Sequence, residues 1–410
     1  MADFVVLRDI TAAPAAAPFN PPGARTRGAA FGPRATGTGL GQVPEPRVEV
    51  LDLTHKGVRE VARDPTVVGV ARRMPTKLIA PFAAAAGAGP AAAGDAWGVA
   101  AVGADASPRA GAGVVPAVLD TGIDAGHPAF AGVDLLRRDF TGDGDNDGQG
   151  HGTHCAGTIF GRDVDGRRIG VARGVGRALI GKVLRNDGSG SSEMLFEGMQ
   201  WAMQNGANVI SMSLGFDFPG LVNELIQQED MPAEAAASIA LEAYRGHLRM
   251  FDALMAMAAA RDPFGGSPVV VAAAGNESAR ARPRPYEIAA SLPAAAEGVI
   301  SVAALRREAG GRLGVADFSN TFAVVAAPGQ GILSARAGGG LRELSGTSMA
   351  CPHVAGVACL WWEELRQRGA VVPSAALVVA QLQARARTDV FPAGLDPVDR
   401  GAGLVAAPGG

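Results

Sequence analysis

"VVPAVLD", residues 114–120, is an apolar run that ends in a carboxylate and is followed by the turn "TGID". A strand that is apolar throughout, rather than at alternate positions, is typical of a parallel sheet covered on both faces. Two segments between or after such runs have helical character, "EMLFEGMQWAMQN" (193–205) and "SMACPHVAGVACLWWEELRQRG" (348–369). The sequence therefore predicts an α/β fold with a mostly parallel, doubly wound sheet and helices on both faces. The further strand candidates are "GKVL" (181–184), "NVISMSL" (208–214), "VVVAAAG" (269–275), "GVISVAAL" (298–305) and "FAVVAAPG" (322–329).

The composition narrows the class of protein. The chain has 410 residues, 48% of them hydrophobic, and a formal net charge of −3 with mixed signs. This charge gives no electrostatic basis for binding nucleic acid. No apolar run approaches the length of a membrane span, and "MADFVVLRDI" at the start does not have the pattern of a secretory signal. With three cysteines, best interpreted as free thiols, these features predict a cytoplasmic protein without a membrane or nucleic-acid partner.

Three regions follow one another along the chain. Residues 1–80 carry a strand–strand–helix–strand pattern and are interrupted at 11–46 by a flexible insertion rich in Pro, Ala and Gly. Residues 81–93 are again rich in Ala, Gly and Pro and are interpreted as a linker. The strand-and-helix pattern of the large sheet occupies residues 94–410. The sequence thus predicts a small α+β module joined to a larger α/β domain.

Candidate functional side chains lie where predicted elements begin or end. Asp120 ends the first strand of the large domain, "GQGHGTHCAG" (148–157) contains His151 and His154, and Ser348 opens the long helix. Taken singly, these residues fit a turn carboxylate, a zinc-binding pair and a helix N-cap. Zinc lacks support, because no HExxH or Cys-x-x-Cys motif accompanies the histidines. A serine nucleophile needs a base and a group that orients the base, and Asp120, His151 and Ser348 supply these three roles together.

The motifs around these residues resemble those of the subtilisin-like serine proteases, and they occur in the order Asp, His, Ser of that family. The resemblance implies a serine endopeptidase in which Ser348 is the nucleophile, His151 the general base and Asp120 the group that orients it. It makes His154 a structural neighbour and Asn276 the side-chain donor of the oxyanion hole, with the Ser348 backbone N–H as second donor. The motifs are "VVPAVLDTGIDAGHPAF", "GHGTHCAGTI", "VISMSLG", "VVVAAAGNES" and "GTSMACPHVAG".

The same resemblance implies how a peptide or protein substrate binds. An extended peptide would pair, as an added strand, with Ser213, Leu214 and Gly215 on one side. On its other side it would pair with Gly188, Ser189 and Gly190. The small residues of "SLG" and "AAAGN" favour a bulky apolar substrate side chain. The chemistry requires no cofactor.

Residues 1–80 resemble, more weakly, the inhibitory propeptide of these proteases. This predicts a zymogen that processes itself, with the final strand "VVGVARRMPTKLIAP" directed toward the active site as an intramolecular partner. The other interpretation is an accessory domain. At the level of function, a catalytically silent peptide-binding relative remains the alternative, whereas an esterase lacks support because no G-x-S-x-G surrounds Ser348.

Two further segments allow more than one interpretation. Asp143, Asp145 and Asp147 in "TGDGDNDGQG" resemble the start of a calcium loop, but His154 stands where such a loop ends in Glu. The segment is either a structural calcium site or a solvated turn. Residues of about 216–263 form a helical insertion after a substrate-binding strand. This insertion either shapes the cleft or packs as an additional hairpin.

Overall fold

The structure, a computed structural model, describes residues 2–11, 43–83, 96–262, 266–369 and 373–409. The strands in these ranges are β1 Ala2–Asp9, β2 Pro46–Leu53, β3 Val67–Arg72, β4 Pro75–Leu78, β5 Phe82–Ala83, β6 Pro116–Asp120, β7 Asp134–Asp139, β8 Arg177–Lys182, β9 Ser189–Ser191, β10 Val209–Met212, β11 Leu214–Phe216, β12 Val269–Ala273, β13 Val299–Arg307, β14 Leu313–Val315, β15 Val325–Pro328, β16 Ile332–Ala335 and β17 Leu341–Ser345. The helices are α1 His55–Val61, α2 Trp97–Ala101, α3 His151–Phe160, α4 Ser192–Gln204, α5 Phe218–Gln228, α6 Ala233–Ala260, α7 Thr347–Arg368, α8 Ala375–Ala384 and α9 Pro397–Arg400.

A central sheet organises the large domain. Its strand order is β14-β13-β12-β10-β6-β8-β7, and β15 pairs with β13 beside this path. The pairs are parallel except that of β13 with β14, which is antiparallel. The predicted mostly parallel α/β fold is confirmed.

Both faces of this sheet are covered, and β6 shows how. Val118 points into a core cluster that contains apolar residues of α3 and α7. Its neighbours Ala117 and Leu119 point into a second cluster, with residues of α4 and α6. Because successive side chains of a strand face opposite sides, a strand buried on both faces must be apolar at every position. The continuous apolar runs of the sequence have this origin.

The N-terminal region forms a separate antiparallel sheet of order β2-β1-β3, and α1 lies between β2 and β3 in the chain. β3 packs on α6 of the large domain. Glycines make this approach possible: a Cβ on Gly69 would lie 2.5 Å from Met250 Cγ, and one on Gly246 would lie 2.9 Å from Ala71 Cβ. The helix and the strand are therefore in direct contact.

Three of the predicted segments can be compared with the structure only in part. Within the 11–46 insertion, residues 12–42 lie outside the described residues, as do residues 84–93 of the predicted linker. Phe82 and Ala83 of the predicted linker form β5, which pairs antiparallel with β17. The 216–263 segment forms α5 and α6, which pack on each other. Among the described helices, none is long and apolar enough to cross a membrane.

Candidate active site

Asp120 and His151 are held together at the carboxyl end of β6. His151 Nδ1 lies 2.8 Å from Oδ1 and 3.0 Å from Oδ2 of Asp120. The backbone N–H of Thr121 also donates to Asp120 Oδ1, at 2.7 Å. Both side chains are buried. A carboxylate bonded to Nδ1 fixes the imidazole ring and leaves Nε2 as its acceptor.

Ser348 lies in the first turn of α7 and is fully buried. Its hydroxyl donates a hydrogen bond of 2.8 Å to the carbonyl oxygen of Ile79. Nε2 of His151 has no hydrogen-bond partner within the described ranges. The serine is thus engaged with the backbone of the N-terminal region rather than with the imidazole.

Asn276, in the loop after β12, also contacts the N-terminal segment that is bonded to Ser348. Its Nδ2 donates to the carbonyl oxygen of Ala80 at 3.0 Å. Its Oδ1 accepts from the backbone N–H of Thr347 at 2.8 Å and from the Thr347 hydroxyl at 2.9 Å. The Thr347 hydroxyl in turn accepts from Gly275 N–H. Because Oδ1 is fixed by Thr347, the amide group must direct its N–H bonds toward the cleft. The sequence interpretation did not assign this role to Thr347.

The two predicted substrate-binding segments flank β4, which is the middle strand of the sheet β11-β4-β9. On one side Leu214 pairs with Leu78, and the Ile79 N–H lies 3.4 Å from the Ser213 carbonyl oxygen. On the other side the Leu78 N–H donates to the Gly188 carbonyl oxygen at 2.8 Å. Gly215 and Ser189 both pair with Lys77 of β4, one from each side, and Gly190 pairs with Thr76. The structure therefore brings all six predicted residues around one extended segment of the same chain.

The side chains next to the imidazole stay uncharged. His154 Nε2 lies 3.1 Å from the Ile332 carbonyl oxygen, and burial together with the charge of Arg342 lowers the pKa of His154 to about 3. Cys155 Sγ lies 3.7 Å from His151 Nδ1, and burial followed by the Asp120 carboxylate raises the pKa of this thiol well above its ordinary value. Asp120, His151 and Cys155 are close enough together to hold a metal ion. However, the thiol is protonated and Nδ1 is bonded to the carboxylate, so this set suits hydrogen bonding better than metal ligation.

The three aspartates of the predicted calcium loop have separate partners. Asp147 is buried and accepts hydrogen bonds at the start of α3, from Gly150 N–H, Thr153 N–H and the hydroxyls of Thr121 and Thr153. Asp143 accepts from Asn186 N–H, and Asp145 pairs with Arg137. In the described part of the chain these carboxylates do not converge on one point. Asp147 thus accepts backbone N–H groups at the start of α3, and a calcium site stays the alternative interpretation of this loop.

Comparisons with known proteins place the chain in a family. The model of the Subtilase family matches residues 111–395. The chain belongs to the subtilase family. It is 36% identical over 283 residues to "Subtilisin-like protease 6" of Trichophyton soudanense, covering 64% of this subtilase and 56% of the relative. It is 36% identical over 258 residues to "Subtilisin-like serine protease Pen c 1" of Penicillium citrinum, covering 61% and 52%.

The resemblance inferred from the sequence motifs is confirmed by this match. The subtilase family region contains all the motifs on which the resemblance was based. This subtilase spans about half the length of the curated relatives it matches. The family match begins at residue 111, so it does not extend over the N-terminal sheet.

Proposed function

We propose that this subtilase is a serine endopeptidase that is made as a zymogen and cuts its own chain between Ile79 and Ala80. The observation that supports this most directly is the 2.8 Å distance between Ser348 Oγ and the Ile79 carbonyl oxygen. The segment that contains this carbonyl is paired with strands on both sides, as an extended substrate would be.

The chemistry follows from the groups around this carbonyl. Rotation of the Ser348 hydroxyl toward the free Nε2 of His151 allows the imidazole to take its proton as Oγ attacks the Ile79 carbonyl carbon. The bond from Ile79 to the Ala80 nitrogen then breaks, and His151 returns the proton to that nitrogen. The Asp120 carboxylate stabilises the transient imidazolium. Water cleaves the resulting acyl-enzyme by the same steps.

The negatively charged oxygen that forms during attack must be stabilised by hydrogen-bond donors. Asn276 Nδ2 supplies one and the Ser348 backbone N–H the other. In the structure, Asn276 donates instead to the carbonyl oxygen of Ala80, one residue further along the chain. Attack must therefore be accompanied by a small shift that moves the Ile79 oxygen into this position. Until that shift occurs, the N-terminal segment occupies the cleft as an inhibitor.

Two bonds lie near the nucleophile, and the structure favours the first. The bond after Ile79 has its carbonyl at Ser348, and the Ile79 N–H faces the Ser213 carbonyl in register with the strand pairing. The bond after Ala80 precedes Pro81, whose tertiary nitrogen makes the peptide geometry at this bond more restricted. Ile79 is also buried, which agrees with a pocket for a bulky apolar side chain.

The test compares the wild type with Ser348→Ala, each produced as the full chain. We expect the wild type to appear as a shortened protein whose new N-terminus is Ala80, and Ser348→Ala to stay at full length. Only the wild type should react with a serine-directed phosphonate probe and hydrolyse peptides. A wild type that is folded, full-length and unreactive would instead identify a silent peptide-binding relative. A wild type that is active at full length would make residues 1–80 an accessory domain.

A further inference from the structure

The segment in the cleft carries a charged side chain close to the proposed cleavage point. Counting back from the Ile79–Ala80 bond, Lys77 is the third residue. Its Nζ lies 3.0 Å from Oδ1 of Asp217. The backbone places the two residues there independently of this contact, because Lys77 pairs with Gly215 and the Asp217 N–H donates to the Pro75 carbonyl oxygen. The carboxylate thus faces one defined position of the bound strand.

Asp217 is held in place by the helical insertion. It is the N-cap of α5, and its side chain accepts a hydrogen bond from Gly220 N–H. A Cβ at Gly220 would lie 2.1 Å from Asp217 Oδ2, so the first turn of the helix closes tightly around the carboxylate. An acidic group fixed in this way needs little further ordering when it binds a cation.

The neighbouring positions of the bound strand are recognised differently. Thr76 and Ile79 are buried, so the side chains at these positions are limited by the size of the space around them. The Lys77 side chain is exposed, with 46% of it accessible, and it forms the ion pair with Asp217 of the large domain. Charge rather than shape therefore distinguishes residues at this position.

We propose that Asp217 is a specificity residue that favours lysine or arginine at the third position before the cleaved bond of a substrate. The inference rests on the proposed function, since it needs a released segment and a peptide cut at the same place. The chain's own Lys77 shows the contact that such a substrate side chain would make. The helical insertion, which supplies Asp217, is thereby part of the cleft.

The experiment uses the self-processed protein and three peptides that copy residues 75–82, with lysine, norleucine or glutamate in the place of Lys77. An exposed ion pair contributes little, so we expect kcat/KM for the lysine peptide to exceed that for norleucine by about two- to fivefold. The effect should lie mainly in KM and shrink as salt is raised, whereas the glutamate peptide should be the poorest substrate.

The deciding variant is Asp217→Asn, which removes the charge and keeps a residue suited to an N-cap. We expect it to cleave the lysine and norleucine peptides equally well. The matched control is Glu229→Gln at the other end of α5, because Glu229 pairs with Arg72, outside the length of these peptides. This control should retain the lysine preference. Ratios within one preparation are unaffected by any N-terminal segment that remains bound.

Two results would overturn the inference alone: equal cleavage of lysine and norleucine peptides by the wild type, or a lysine preference that survives in Asp217→Asn. If folded wild-type protein hydrolyses none of the peptides, the proposed function is wrong and the inference falls with it.

Discussion

Ser348 Oγ and the carbonyl oxygen of Ile79 lie 2.8 Å apart although 269 positions separate the two residues in the chain. This hydrogen bond uses the proton that His151 would have to accept. The Nε2 atom of His151 is accordingly left without a partner in the described part of the chain. The N-terminal region therefore contacts Ser348 directly, through a backbone carbonyl oxygen.

Thr347 should influence turnover through Asn276. Its hydroxyl donates to Asn276 Oδ1 and so orients the amide. We expect Thr347→Val to lower kcat about tenfold with little change in KM, since one hydrogen bond of about 1 kcal/mol orients a group that acts in the transition state. Thr347→Ser should keep most of the activity. Steady-state kinetics on processed protein provide the measurement, and equal losses in both variants would contradict the role of the hydroxyl.

Removal of Asn276 itself should have a larger effect. We expect Asn276→Ala to lower kcat by about 10²–10³-fold, the loss known for a subtilisin that lacks one oxyanion-hole donor. The effect on KM should be small because the amide pairs best with a charge that exists only in the transition state. A loss that appears mainly in KM would assign Asn276 to ground-state binding instead.

The contact of α6 with β3 should determine how long the N-terminal segment remains bound. A Cβ at Gly246 would lie 2.9 Å from Ala71 Cβ and 3.4 Å from Ala71 Cα. We expect Gly246→Ala to reduce the amount of N-terminal segment that co-purifies with the processed protein. Combining it with Ala71→Gly should restore this amount, because the clashing Cβ is removed. The control is Gly176→Ala, where a new Cβ meets no atom within 4 Å. Failure of the double variant to recover would argue against this contact.

Stability should fall in mild acid because three histidines are buried as neutral groups. Burial lowers the pKa of His154 to about 3 and the pKa of both His247 and His353 to about 4. An unfolded imidazole binds a proton below a pH of about 6.5, so the unfolded state takes up more protons than the folded one as the pH falls. The stabilising contribution of the neutral rings is therefore complete above pH 6.5 and is lost progressively toward pH 4.

Urea unfolding of Ser348→Ala, which cannot digest itself, measures this loss. Each buried histidine contributes up to about 1.4 kcal/mol per pH unit. His247→Asn should reduce the slope between pH 6.5 and 5 by about this amount and leave the slope above pH 7 unchanged. An identical slope in the parent and the variant would show that His247 does not titrate in this way.

The Asp-rich loop gives a further test. Asp147 accepts several hydrogen bonds at the start of α3, so we expect Asp147→Asn to destabilise the protein by at least about 2 kcal/mol. We expect EDTA to leave the Tm of the wild type unchanged, because Asp147 is already engaged. A lower Tm in EDTA that disappears when Asp143 and Asp145 are replaced by Asn would instead support calcium binding.

Much of the fold could be predicted because its signals are local. The predicted strands of the central sheet are largely apolar and are present, although "GKVL" (181–184) overlaps β8 only at residues 181–182, and α4 and α7 begin and end within one residue of their predicted bounds. The contact of His151 with Asp120 agrees with motifs whose order is specific to one family, whereas the Ser348 hydroxyl is bonded to Ile79 and not to His151. In these cases a short stretch of sequence is enough to predict the element or the motif.

The contacts of β4 could not be predicted in the same way. The segment "PTKL" is short and contains a proline, and Lys77 and Asp217 are 140 positions apart. Neither residue has a local pattern that indicates its partner. For Asp147 the sequence does contain a local pattern, since the alternate aspartates resemble a calcium loop, but the pattern does not indicate the partners of Asp147. Its actual partners depend on where α3 begins and on Thr121, which is 26 positions away.

β4 is the middle strand of its sheet, and this position has a consequence for the state that remains after its release. Withdrawal of a middle strand leaves two unpaired edges, on β9 and β11, that face each other across a gap of about 10 Å. Proteins normally shield such edges, because any extended chain can pair with them. Under the proposed function, this open gap between β9 and β11 is where substrate binds. A released segment, a cleavage product or the terminus of a second molecule therefore competes with substrate for the same row of hydrogen bonds.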